Sequence, residues 1–146
     1  MIYVVLNYAG WSDINGLDSN SPEDAAGFAE SADRVNALIE QEISKNNIDP
    51  KRIVVAGFSQ GGALALHVSL RYPVALGGCV ALSSWLPLRD DYPAAISDAQ
   101  SQLPILQVHG DAGVFHYYCL VTRDQFDVQL YKPLSELRLF CIFHNM

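Results

Sequence analysis

From Ile53 to Leu70 the chain carries no charged side chain, in the run IVVAGFSQGGALALHVSL. A stretch of that length without charge either crosses a membrane or is buried inside a domain as more than one element. Its interior decides between the two. Gly57, Ser59, Gln60, Gly61, Gly62 and His67 interrupt the run, its start is β-branched, and its end is rich in Ala and Leu. A buried strand over Ile53 to Ala56, a tight turn, and a helix from about Gln60 to Arg71, stopped near Pro73, account for that change of character.

The flanks repeat the alternation. In SNSPEDAAGFAESADRVNALIEQEISKNN, Ser21 stands where a helix cap is expected and Pro22 at the first helical position, with Glu23 and Asp24 favoured by the helix dipole. Phe28, Ala32, Val35 and Ile39 follow at helical spacing with Leu38 beside them, so this helix covers something with one face. LGGCVALSS reads as a second buried strand, LPILQVHG (103–110) as a third, and Leu137 to Phe143 as a further strand in an aromatic-rich tail. Strands alternating with helices imply a parallel sheet with right-handed crossovers and helices on its faces, the α/β class.

The 146 residues, half of them hydrophobic, suit one domain with a single core, and no repeat, low-complexity tract or linker divides them. The formal net charge is −7 and the Lys and Arg residues are scattered, which gives a nucleic acid no basic stripe to bind and repels acidic substrates. Three cysteines, Cys79, Cys119 and Cys141, lack metal-ligand spacing, and no positively charged segment with an apolar core opens the chain. A reducing, cytoplasmic setting is the expectation.

Gly57-Phe58-Ser59-Gln60-Gly61 matches the G-x-S-x-G nucleophile elbow. There the serine sits on a strained strand-to-helix turn that lifts its hydroxyl out of the sheet, and side chains at the glycine positions would collide with the strand and helix. The N-terminus of the following helix offers unpaired N–H groups to an acyl oxyanion, and the N–H of Gln60 is the expected donor. The bare pattern is weak, since a turn serine can satisfy it. An apolar run before it and a helix-forming run after it are the context the motif requires, so Ser59 is read as the nucleophile.

RIVVAGFSQGGALALHVSLRYP, GCVALSSWLPLRDDYP and LPILQVHGD, with GWSDINGLDSNSPEDAAG upstream, resemble the acyl-protein thioesterase and lysophospholipase family of α/β-hydrolases, which also includes small carboxylesterases. The resemblance covers residues 7 to about 112. It implies an α/β-hydrolase-like, mostly parallel sheet with helices on both faces, and a Ser-His-Asp triad that needs no metal or cofactor. It also implies an acylated protein or a lysophospholipid as substrate, with at most transient contact with a membrane surface. The serine attacks the acyl carbonyl, a histidine takes its proton, an aspartate orients the histidine, and water releases the acyl group.

Three departures from the family pattern bear on this expectation. The chain starts after the family's first strand and its HGLGD-type loop, source of a second oxyanion donor, so a single incomplete domain over 1–146 is expected, with N-terminal strands missing and a sheet edge uncovered. In the family pattern H-G-x-x-D the last Asp orients the base; here that position is Gly113, and Asp111, two residues early, is the nearest carboxylate, with a turn or capping role as its other reading. His144, after LRLFCIF, stands at a plausible distance for the base but lacks the family's surrounding Gly and Ser. His116 is the lesser candidate; His67 reads as a packing or solvent-facing residue of the helix after the elbow, and His109 as a strand-end residue. The tail 112–146 diverges. Trp85 with Leu86-Pro87-Leu88 reads either as a wall of an acyl channel or as core packing, and Ser83 and Ser84 as strand-end residues. The alternative function is a catalytically inactive shortened variant that binds an acyl chain or a protein.

Overall fold

The structure, a computed structural model, describes residues 10–16 and 21–108 and the backbone of Arg138–Ile142. Helix α1 spans Ala25–Ser44 and buries Phe28, Ala32, Val35 and Ile39, the face the sequence pattern predicts. Its start lies later than expected. The cap is Asp24, not Ser21: one carboxylate oxygen accepts the N–H of Gly27 at 2.9 Å and the other the N–H of Asp13 at 2.9 Å. These two donors hold the Asp24 carboxyl below its usual range. The Glu23 side chain is engaged instead by a loop more than sixty residues away, and the helix begins after it.

A 3₁₀ turn, Pro50–Arg52, is capped by the Asp49 side chain and delivers strand β1, Ile53–Phe58. Helix α2 is Gln60–Arg71, and strands β2, β3 and β4 are Gly78–Leu82, Ile105–Val108 and Arg138–Ile142. All four strands pair in parallel in the order β3-β2-β1-β4, the arrangement their apolar sequences call for. β4 does not extend the sheet beyond β3. It crosses to the far side of β1, with Ile53 opposite Arg138 and Gly57 opposite Ile142, so β1 is interior and its backbone groups are paired on both sides. The uncovered edge expected from the sequence is therefore not at β1.

Every residue of α2 from Gln60 to Leu70 is buried, because the helix is packed on β1 and β2 and α1 closes over it. Ile39, Ile53, Val55, Leu64, Leu66 and Leu70 are fully sequestered. Burial pushes the Cys79 thiol up to about 12, so this cysteine is an inert core residue. Among the described residues no helix is long and apolar enough to cross a membrane.

Candidate active site

β1 hands over to α2 through one residue. Ser59 has φ 53° and ψ −124°, a conformation that costs a residue with a Cβ about 1–3 kcal/mol and survives only where the surroundings impose it. The surroundings are plain. Its N–H donates to the carbonyl of Leu82 on β2 at 2.8 Å, and its own carbonyl accepts from Gly62 at 2.9 Å and Ala63 at 3.1 Å, the first bonds of α2.

A capping serine would turn its hydroxyl onto the open N–H groups of the helix behind it. Ser59 makes no such bond and is only half-buried, so the hydroxyl is spent neither on the cap nor on the core. The N–H of Gln60 is the first of α2, ahead of the bonds that Gly62 and Ala63 make to Ser59, and lies at the positive end of the helix. This is the strand-turn-helix geometry that the G-x-S-x-G reading requires.

The glycines are demanded by distance. A Cβ on Gly57 would stand 2.1 Å from the carbonyl oxygen of Gly61 and 2.6 Å from the nitrogen of Gly62. One on Gly62, a position outside the five-residue motif, would stand 2.6 Å from the Cβ of Ser84. The strand end after β2 thus lies directly against the base of the elbow.

Gln60 has a second role that its place in the motif does not reveal. Its side-chain Oε1 accepts the N–H of Trp11 at 2.9 Å, and its Nε2 donates to the carbonyl of Ser12 at 2.7 Å and to the Ser12 hydroxyl at 2.9 Å. Ser31 of α1 in turn donates its hydroxyl to the Trp11 carbonyl at 2.5 Å. Trp11, 4% exposed, is a core residue and the loop it belongs to is pinned to the residue after the nucleophile. A cleft of about 590 Å³ beside this loop is lined by Ser12, Ile14, Asp24, Arg34 and Gln60 but not by Ser59, so it is not the place where an acyl group would meet the hydroxyl.

On the other side Trp85 and Leu88 donate their indole and backbone N–H to the two oxygens of Glu23, at 2.9 and 2.6 Å. His67 packs, ring to ring, on Phe28 with centroids 5.8 Å apart, and its Nδ1 is buried without a partner among the described residues. Burial, with the Arg71 charge one turn on, depresses it to about 4, so it is neutral at neutral pH and packs as the sequence suggests. Asp111, Gly113, His109, His116 and His144 lie outside the described residues. The sequence missed the side-chain role of Gln60, the tight fit at Gly62 and the partners of Glu23, because each depends on residues distant along the chain.

Comparison with known proteins places this geometry in company. The family model for phospholipases and carboxylesterases matches residues 1–121. A probable carboxylesterase of Oryza sativa subsp. japonica is 42% identical over 104 residues, 70% of this chain and 39% of the rice protein. Acyl-protein thioesterase 1 of Mycosarcoma maydis is 41% identical over 110 residues, covering 70% of this chain and 46% of its own. The crystal structure of Arabidopsis thaliana SOBER1 superposes with a TM-score of 0.71 at 30% identity, over 92% of this chain and 61% of that one. The chain therefore spans less than half the length of these curated relatives.

Proposed function

The chain belongs to the phospholipase/carboxylesterase family of α/β-hydrolases, an esterase and thioesterase family, and from that premise we propose that it is itself a serine hydrolase of the acyl-protein thioesterase type. Its substrates in this reading are carboxylic esters or thioesters of apolar acyl chains, carried on a protein cysteine or a lysophospholipid, met in the cytoplasm. The observation that carries it is Ser59: a positive-φ serine between strand and helix, its hydroxyl not spent on capping the helix behind it, at the positive end of a buried helix.

In the proposed reaction Ser59 Oγ attacks the acyl carbonyl and the Gln60 N–H bonds the oxyanion. His144 takes the serine proton and returns it to the leaving thiol or alcohol, with Asp111 orienting its ring; water then attacks the acyl-enzyme by the same path. Strand β4, which precedes His144 in the sequence, pairs with β1, the strand that leads to Ser59, with Ile142 opposite Gly57.

The test is labelling and turnover. A fluorophosphonate probe should modify the protein at Ser59 and leave Ser59→Ala unmodified, and short-chain p-nitrophenyl esters should be hydrolysed by the former alone. Equal rates for the two proteins, with no labelling, would sink the reading and leave a binding module.

A further inference from the structure

We propose that the side-chain amide of Gln60 is a positioning group: by gripping the backbone of Trp11 and Ser12 it aims the N–H of its own residue at the oxyanion. The inference rests on the hydrolase reading above and goes one step beyond it, from which N–H receives the charge to what holds that N–H in place. The peptide between Ser59 and Gln60 is one rigid plane, with the Ser59 carbonyl at one end and the Gln60 N–H and Cα at the other. Helix α2 holds the first end, because that carbonyl accepts from Gly62 at 2.9 Å and Ala63 at 3.1 Å. A plane held at its carbonyl can still rock, and the aim of the N–H rocks with it.

The side chain holds the second end. Oε1 accepts the Trp11 N–H at 2.9 Å, and Nε2 donates to the Ser12 carbonyl at 2.7 Å and the Ser12 hydroxyl at 2.9 Å, so the Gln60 Cα is tied to a segment almost fifty residues away. That segment is itself anchored, since the Ser31 hydroxyl of α1 donates to the Trp11 carbonyl at 2.5 Å. The turn at Ser59, with φ 53°, stores strain that a looser start of α2 would release, so the aim needs holding. These partners require an acceptor and two donors on one planar head, which an amide has; a carboxylate lacks the donors and a thioether offers only a weak acceptor. Gln100 supplies a matched comparison at the opposite end of the sheet. It is also buried, its Nε2 donates to the carbonyls of Tyr72 and Val74, and its Oε1 accepts the Leu76 N–H just ahead of β2.

The experiment measures kcat and KM on p-nitrophenyl acetate, the rate of fluorophosphonate labelling and the urea midpoint for wild type, Gln60→Met, Gln100→Met and Ser12→Ala. Losing a whole oxyanion donor lowers kcat about 100- to 1,000-fold, and a donor left in place but loosely aimed should lower it about thirtyfold in Gln60→Met, with KM within about twofold of wild type. Labelling should slow in step. Gln100→Met should lose stability to a similar extent yet keep kcat within about twofold. Ser12→Ala removes one of the three bonds and is the milder change; it should lower kcat about threefold, and it decides alone if Gln60→Met does not fold. An equal fall of kcat in Gln60→Met and Gln100→Met, a change in KM alone, or an unchanged kcat in the deciding variant overturns the positioning role while the hydrolase stands. A wild type that neither turns over the ester nor takes the probe overturns the hydrolase reading and this inference with it.

Discussion

β1 and β2 run side by side in register, with Gly57 opposite Ala81 and Phe58 opposite Leu82, and each ends in a serine of positive φ, 53° at Ser59 and 47° at Ser83. The next ladder bond is equivalent too, since Ser59 donates to Leu82 and Ser83 donates to Val108. Beyond the serines the two strands part ways. After Ser59 a twelve-residue helix starts at once, whereas after Ser83 the chain passes through Trp85 to Leu88 before a short 3₁₀ turn at Arg89–Asp91. A strained strand end is therefore not a site by itself. In the proposed reading it becomes one where a helix starts at the same point and presents its first N–H groups, and that helix can start so close only if the strand residue two places back has no side chain.

The sharpest way to break the comparison is to exchange those residues. Gly57→Ala forces a Cβ to within 2.1 Å of the Gly61 backbone, which cannot move without displacing α2. We expect a loss of about 3 kcal/mol or more in chemical denaturation, and no fluorophosphonate labelling. The partner exchange, Ala81→Gly, removes one buried methyl from β2 and should cost only about 1 kcal/mol. Similar losses at both positions would mean that the close approach of α2 is not what demands glycine.

Acid tests the helix half of the comparison. His67 on α2 has its pKa depressed to about 4, while in the unfolded chain it titrates near 6.5. The unfolded state therefore binds the extra proton first, and the contribution is complete above about pH 6.5, falls as pH drops toward 4, and is constant below. The loss is at most about 3 kcal/mol, from 1.36 kcal/mol per unit. His67→Phe, which keeps a ring against Phe28, should flatten stability between pH 6.5 and 4; an unchanged slope would assign it to other groups.

The same contrast explains what could be read from the sequence. The uncharged run gave strand, turn and helix because apolar content and glycine spacing are local signals, and Ser59 and Gln60 lie within it. Ser21 matches the local cap pattern, yet Asp24 caps α1, because Asp13 and Gly27 share its carboxylate while Glu23 is held by Trp85 and Leu88. Arg138–Ile142 was legible as a strand, but its partner was not: an apolar run says that it pairs, and only the packed sheet says that it pairs with β1. The Gln60 amide has the same lesson, since its bonds to Trp11 and Ser12 cross nearly fifty residues.

The smallest expected effect separates strain from chemistry. Both serines hold a conformation that glycine adopts freely, so Ser59→Gly and Ser83→Gly each release strain, against which the added freedom of glycine in the unfolded chain counts for up to about 1 kcal/mol. Because the strain is about 1–3 kcal/mol, the net expectation is a gain of about 1 kcal/mol at either position relative to the corresponding alanine. Only Ser59→Gly should abolish probe labelling, whereas Ser83→Gly should keep it. A stable, silent Ser59→Gly beside a stable, reactive Ser83→Gly would show that the fold bears the same backbone strain at two neighbouring strand ends and uses it for catalysis at one. Equal stability of the glycine and alanine variants at Ser59 would mean instead that the turn imposes no strain to release.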